Sequence, residues 1–83
     1  MPKAKKIAKE NEFKYIQLGL NIAYYRKLAG YTQESLAEEA GLSRSYISAI
    51  EAPNEIKSVS LESLFEIAKA LNIPAYKLLD FRE

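Results

Sequence analysis

Apolar residues recur along this chain at intervals of three and four, without strict alternation with polar residues. Such intervals place apolar side chains on one face of an α-helix, whereas alternation would indicate a β-strand. Gly30 and Gly41 each follow a run of helix-forming residues, and Pro53 and Pro74 interrupt the second half of the chain. The pattern therefore predicts an all-α fold with five helices, at residues 12–29, 33–40, 44–51, 61–71 and 74–81.

Each of the first four predicted helices carries one apolar stripe, which we expect to face a shared core. The stripes are Tyr15, Leu18, Ile22, Tyr25 and Ala29; Leu36, Ala37 and Ala40; Ile47 and Ile50; and Leu61, Leu64, Ile67, Ala68 and Leu71.

Three of the predicted helix starts share one local pattern. Thr32, Ser43 and Ser60 each stand where an N-cap belongs, and their hydroxyls can accept from the first-turn N–H groups. An apolar residue precedes each cap, and a second apolar residue stands five positions after the first. This is the spacing of a hydrophobic staple. The staple pairs are Tyr31 with Leu36, Leu42 with Ile47, and Val59 with Leu64.

The second and third predicted helices are short and are joined only by Gly41, Leu42 and Ser43. A three-residue turn with glycine between two short amphipathic helices is typical of a helix-turn-helix. Gly41 tolerates a positive φ, and the small Ala37 allows close packing of the two helices. By spacing alone, a plain αα-hairpin within a helical bundle is nearly as good an interpretation.

The outward face of the third predicted helix favours the helix-turn-helix. This face spans an arc of about 140° and consists of Arg44, Ser45, Ser48, Ala49 and Ala52. It has small side chains and no acidic residue, which suits a helix in the major groove of B-DNA, about 12 Å wide. Arg44 could bind guanine bidentately, the serines could bond base or phosphate, and Ala49 could contact a thymine methyl group.

The composition excludes several kinds of site. The 83-residue chain is the size of one domain and has no cysteine and no histidine. It therefore lacks a disulfide, a zinc-thiolate site and the usual general base near neutral pH. We predict no cofactor, no metal and no enzyme. Its apolar runs are far shorter than the ~18–20 residues that span a bilayer, and its charged start lacks a signal core, so we expect a cytoplasmic protein.

The charge is unevenly distributed although the net charge is only +1. Residues 1–27 carry seven basic and two acidic side chains, whereas residues 28–83 carry five basic and nine acidic ones. We predict a flexible basic N-terminal arm at residues 1–11, followed by the DNA-binding domain at 12–83. The lysines from Lys3 to Lys9 are candidates for tracking phosphate or entering the minor groove. A solvated tail is the alternative.

Several short motifs make the chain resemble the lambda-type phage repressor and Cro family, also called the XRE family. The motifs are Thr32-Gln33-Glu34, Leu36-Ala37, Gly41-Leu42-Ser43 and Tyr46-Ile47-Ser48. They lie within RKLAGYTQESLAEEAGLSRSYISAIE, and the later SLESLFEIAKALNIPAYKLLDF resembles the family's fourth and fifth helices. Within the family, the chain is most similar to the controller proteins of restriction–modification systems. The resemblance implies a five-helix DNA-binding domain.

The resemblance also implies roles for individual residues. Gln33 matches a residue that contacts the DNA backbone, Tyr46 an aromatic whose hydroxyl reaches phosphate, and Arg26 and Glu51 a structural ion pair. The full set expected at DNA is Thr32, Gln33, Ser43, Arg44, Ser45, Tyr46, Ser48, Ala49 and Lys57.

The chain departs from the family pattern at three places. Ala52-Pro53 replace a basic residue and glycine, the loop 54–59 is about two residues longer, and Ala23 replaces a frequent arginine. These departures remove backbone contacts, which supply most non-specific affinity for DNA.

We expect the partner to be double-stranded DNA, bound at a palindromic operator by a homodimer that acts as a transcriptional regulator. The candidate dimer surface consists of Phe65, Tyr76, Leu78, Leu79 and Phe81, unless these residues fill the domain's own core. Glu34, Glu38 and Glu39 are candidates for contacting RNA polymerase, or are plain solvated surface. The alternative function is an antitoxin-like or adaptor module that binds a toxin-type protein and reads little DNA.

Overall fold

Within residues 7–81, which the computed structural model describes, the chain forms four α-helices, a single 3₁₀ turn and no strand. The elements are α1 (Lys9–Leu28), α2 (Gln33–Ala40), α3 (Arg44–Glu51), α4 (Leu61–Leu71) and the 3₁₀ turn (Ala75–Lys77). The bounds of α2, α3 and α4 are those that the sequence predicted. α3 packs on both α1 and α2, and α4 packs mainly on α2 and more sparsely on α1.

α1 begins at Lys9, three residues before the predicted start at residue 12. Ala8 is the N-cap without a side-chain hydrogen bond, and the backbone N–H of Asn11 donates to its carbonyl at 2.9 Å. Glu10 and Glu12 lie in the first turn, where acidic side chains stabilise a helix N-terminus. The lysines of the predicted arm are thus divided. Lys9 is the first helical residue, and Lys3, Lys5 and Lys6 lie outside the described residues.

The three predicted N-caps are confirmed. Thr32 accepts from the N–H of Ser35 at 3.0 Å, and Ser35 Oγ accepts from the N–H of Thr32 at 2.9 Å, which completes a capping box. Ser43 and Ser60 each accept from the N–H three residues later, at 3.1 Å in both helices. The staple residues Tyr31, Leu42 and Val59 pack half-buried against the core. The chain therefore enters α2, α3 and α4 through the same local geometry.

The core is apolar and draws on every helix. Its buried members are Leu18, Ile22, Leu36, Ala37, Ala40, Ile47, Ile50, Leu64, Ile67, Ala68, Leu71 and Leu78. The prediction is wrong at Leu61 and Ala29, which are both exposed. Leu61 opens the first turn of α4 at the edge of its stripe, and Ala29 lies beyond the last turn of α1.

The prediction of a fifth helix over residues 74–81 is wrong. The N–H groups of residues 77–79 donate to carbonyls three residues earlier, at 3.0–3.1 Å, which is the 3₁₀ pattern. The turn covers only Ala75–Lys77 and is not followed by a further helical turn within the described residues.

A side chain of α1 explains why the 3₁₀ turn does not continue as a helix. Asn21 Nδ2 donates to the carbonyl oxygens of Leu78 and Asp80, at 2.9 and 3.2 Å. These bonds hold the segment along α1 in a non-helical path, and Leu78 enters the core with no exposed surface. Leu78 therefore does not belong to the predicted dimer surface.

Candidate nucleic-acid interface

The turn between α2 and α3 has the geometry of a helix-turn-helix. Gly41 adopts the left-handed conformation with φ 71°, which a side chain would strain. The N–H of Leu42 donates to the carbonyl of Ala37 at 2.8 Å and so satisfies the end of α2. The almost fully buried Ala37 lets the helices meet closely, and Ile47 and Ile50 fix α3 to the core.

The opposite face of α3 is turned outward. Arg44 and Ser45 are exposed, and Ser48 and Ala49 are half-buried. This face lacks an acidic side chain, since the single carboxylate of α3, Glu51, is buried. Arg44 makes no hydrogen bond or ion pair with any residue from 7 to 81. Its guanidinium is therefore free to bind an external acceptor.

Two of the side chains predicted to contact DNA form helix caps. The hydroxyl of Thr32 is engaged in the capping box, and that of Ser43 accepts from the N–H of Tyr46 and lies 3.3 Å from Ser45 Oγ. Both residues are exposed at helix N-termini. Their first structural role is to position the backbone N–H groups of α2 and α3, which can themselves bind anions.

A buried ion pair ties α3 to α1. Arg26 Nε and Nη2 donate to the two carboxylate oxygens of Glu51 at 2.7 and 2.9 Å, which makes the pair bidentate. Arg26 Nη1 also donates to the carbonyl of Tyr31 at 2.8 Å. Gln33 Nε2 donates to Glu51 Oε1 at 3.0 Å. The expected ion pair is confirmed, and the bond from Gln33 is an addition that the sequence did not suggest.

Tyr46 and Lys57 lie together beside the outward face of α3. Tyr46 is half-buried and packs on the core, and Lys57 Nζ lies 5.7 Å from the centre of its ring. This distance is within the range of a cation–π contact. The contact brings the one lysine of the long loop to the edge of α3.

Gly19 is a positioning residue that the sequence analysis missed. It lies in the middle of α1 and is buried where α1 crosses α3. A Cβ at this position would collide with the carbonyl oxygen of Ile50. A glycine inside a helix is unfavourable unless something approaches closely, and that was the signal available in the sequence. Gly19 therefore allows the backbone of α3 at Ile50 to pack directly against α1.

The predicted dimer residues are only partly exposed together. Phe65, Tyr76 and Leu79 are 51%, 68% and 46% exposed, whereas Phe81 packs partly on the core. Leu79 and Phe81 line an open groove of about 240 Å³ between α1 and α4. The other lining residues are Asn11, Lys14, Tyr15, Leu18, Val59, Leu61 and Leu64.

A second exposed apolar face was also missed. Phe13, Leu20, Tyr24 and Leu28 are all more than half exposed. At about 100° per residue they fall on one side of α1, opposite its buried stripe. The spacing of seven, four and four residues was the signal in the sequence.

Two other features of residues 7–81 bear on the kind of site. None of the helices there is long and apolar enough to cross a membrane. That part of the chain also holds no cluster of three acidic residues that could bind a metal ion.

Comparison with known proteins supports the helix-turn-helix interpretation. A helix-turn-helix family model matches residues 22–78. Control protein C.SmaI of Serratia marcescens is 42% identical over 62 residues, which are 75% of this chain and 71% of that protein. The crystal structure of the restriction–modification controller protein C.AhdI of Aeromonas hydrophila is similar, with a TM-score of 0.72 and 33% identity. The match covers 77% of this chain and 94% of that one.

A third relative is the transcriptional regulator SinR of Bacillus subtilis, which is 38% identical over 63 residues. The match spans 76% of this chain but only 56% of SinR. A crystal structure of SinR in complex with DNA has a TM-score of 0.71 and 38% identity, covering 76% of this chain and 98% of that one. These relatives are regulators rather than enzymes. The chain belongs to the helix-turn-helix family of lambda-repressor and Cro type, the XRE family, and is similar to its controller proteins.

Proposed function

We propose that this protein is a sequence-specific DNA-binding transcriptional regulator whose α3 reads the major groove. The observation that carries the proposal is the outward face of α3. It presents Arg44, which has no partner among residues 7–81, beside small side chains, and its one carboxylate is buried in an ion pair.

Shape and charge on this face both suit a DNA groove. The major groove of B-DNA is about 12 Å wide and admits an α-helix, and the small side chains on this face let the backbone of α3 come close to the bases. Arg44 and Ser45 are at the N-terminus of α3, the end from which recognition helices contact bases. Arg44 can donate two parallel hydrogen bonds to guanine, and Ser45, Ser48 and Ala49 complete the reading surface.

Contacts to phosphate would fix the register of α3 on the duplex. Gln33 and Thr32 lie at the N-terminus of α2, and Ser43 at that of α3. The N-terminus of a helix favours an anion such as phosphate. Lys57 lies over the ring of Tyr46, beside the outward face of α3, and both side chains are candidates for phosphate contacts. Contacts of this kind position a protein on DNA, and base contacts provide specificity.

We infer that two copies act together as a homodimer on a palindromic operator. One recognition helix contacts few bases, so specific sites are usually bound by two recognition helices, one from each copy, about 34 Å apart. The exposed Phe65, Tyr76 and Leu79 offer an apolar surface, and the groove next to Leu79 can receive a side chain of the second copy. Occupancy of the operator would suffice to block a promoter.

The first test is selection of bound sites from a random DNA library at a fixed moderate salt concentration. Enrichment of an inverted repeat is expected, and its half-site spacing reports the dimer geometry. If the folded protein enriches no motif, the proposal fails and an antitoxin-like or adaptor module that binds a protein partner becomes the better explanation.

Arg44 provides the residue-level test. Arg44→Ala should weaken binding to the selected site by about 1–3 kcal/mol and relax the preference for guanine. Lys69→Ala is the matched control, because Lys69 is an exposed cation on α4. Equal losses in the two variants would show that Arg44 contributes only charge.

Sedimentation tests the dimer separately. We expect dimers at tens of micromolar, and a shift to monomers when Tyr76, an exposed member of the proposed surface, is changed to Asp. A chain that sediments only as a monomer, with or without operator DNA, would contradict this part of the proposal.

A further inference from the structure

We propose that Glu51 is a positioning residue for DNA binding, which acts by holding the side-chain amide of Gln33 in one orientation. This inference rests on the proposed function, because it assumes that Gln33 contacts DNA. The carboxylate of Glu51 then has two roles. It pairs with Arg26 in the interior, and it orients the amide of Gln33 at the surface.

The geometry shows one carboxylate serving two partners. Glu51 Oε1 accepts from Arg26 Nη2 at 2.9 Å and from Gln33 Nε2 at 3.0 Å, and Oε2 accepts from Arg26 Nε at 2.7 Å. The Glu51 side chain is 6% exposed. Water therefore competes little for it, and hydrogen bonds to an ionised, desolvated oxygen are stronger than neutral ones. The bond to Gln33 is strong enough to fix a surface side chain.

The chemistry of the amide sets its orientation. An amide turned by 180° would place its own oxygen against the carboxylate, and two acceptors repel each other. Gln33 must therefore direct its nitrogen to Glu51. One N–H is used there, and the second N–H and the carbonyl oxygen remain for an outside partner.

The position of Gln33 makes this orientation matter for DNA. Gln33 is the first residue of α2, next to the exposed cap Thr32, and its side chain is half-buried. A glutamine that is ordered before binding does not lose its rotamer freedom on contact with DNA. The hydrogen bond from Gln33 to Glu51 thus connects the Arg26–Glu51 pair to the proposed DNA-binding surface of the protein.

A double-mutant cycle on operator affinity tests the inference. Glu51→Gln is introduced into the wild-type chain, into the Gln33→Ala variant and into the Arg44→Ala variant. In the wild-type chain we expect a loss of about 3- to 10-fold, the size of one hydrogen bond. The loss should nearly vanish in the Gln33→Ala background and persist in the Arg44→Ala background.

Comparison of the Gln33→Ala background with the other two separates positioning from general structural support. If Glu51 only supported α3, its substitution would cost the same affinity in the Gln33→Ala background as in the wild type, and that result would overturn the inference. An unchanged affinity of Gln33→Ala, together with a loss in Arg44→Ala, would also overturn it while the proposed function stands. Failure of every variant and of the wild type to bind any selected site would instead reject the proposed function.

A second measurement covers the case that Glu51→Gln does not fold. In the free wild-type protein, NMR should show slower hydrogen exchange of the Gln33 side-chain amide than of the Gln17 amide. Gln17 is a suitable internal control, because it is the other glutamine of the chain and is also half-buried. Equal exchange rates would mean that Gln33 is not held, and the inference would fail.

Discussion

The helix-turn-helix unit and the C-terminal segment 74–81 are built by different means. In the unit, from Thr32 to Glu51, side-chain caps and a left-handed glycine set the path of the backbone. In the segment no side-chain cap occurs, and the path is set by Asn21 of α1 and by the burial of Leu78.

The difference shows where local and long-range interactions decide structure. The caps of α2 and α3 join residues three apart in sequence, so they act as soon as the helices form. The bonds from Asn21 join residues 57 and 59 apart in the chain, and they exist only when the fold is complete. Breaking each kind of contact should therefore reduce the free energy of unfolding by a different amount and affect a different part of the molecule.

The largest loss is expected at the ion pair that anchors the helix-turn-helix to α1. Arg26→Met should reduce the free energy of unfolding by about 3–5 kcal/mol, because it leaves the carboxylate of Glu51 buried and unpaired. Urea unfolding followed by circular dichroism measures the loss. Lys69→Met is the control, since Lys69 pairs with Glu66 at 3.3 Å on the surface, and it should cost about 0–1 kcal/mol. Similar losses in both variants would contradict the structure.

The next loss is expected in the C-terminal segment. Leu78→Ala should reduce the free energy of unfolding by about 2–5 kcal/mol through the cavity that it leaves. Leu79→Ala is the matched control, because Leu79 is the adjacent leucine and is half-exposed. Unfolding is compared at a protein concentration low enough to keep both chains monomeric. If the Leu79 variant lost as much as the Leu78 variant, the register of the segment would be wrong.

A smaller loss is expected where α1 holds the segment in place. Asn21→Ala removes two hydrogen bonds to carbonyl oxygens and should reduce the free energy of unfolding by about 1–2 kcal/mol. Hydrogen exchange should become faster at the N–H groups of residues 77–79 and stay unchanged in α3. Asn54→Ala, in an exposed loop, serves as the control. If hydrogen exchange became equally faster at residues 77–79 and in α3, the contacts of Asn21 would not be specific to the C-terminal segment.

The smallest loss is expected at a local cap of the unit. Ser43→Ala should reduce the free energy of unfolding by about 1 kcal/mol, since the N–H of Tyr46 loses its acceptor. Ser58→Ala, an exposed loop serine, should leave it almost unchanged. Stability to urea again provides the measurement. Indistinguishable midpoints for the two variants would mean that the cap does not stabilise α3.

The sequence alone predicted most of what lies between Thr32 and Leu71. The bounds of α2, α3 and α4 and their three caps follow from residues at most five positions apart, because capping and staple contacts are local to the start of each helix. The resemblance to the family added the Arg26–Glu51 pair. The outward position of Arg44 followed from helical periodicity alone.

Only the tertiary structure decided the rest. Gly19 is needed because α3 crosses α1 at that point, and the end of the chain follows Asn21 instead of completing a helix. The bond from Gln33 to Glu51 required α2 and α3 to be packed together before the two side chains could meet. Periodicity within one segment describes which face is apolar, but it carries no information about which side chain of a distant segment will approach it.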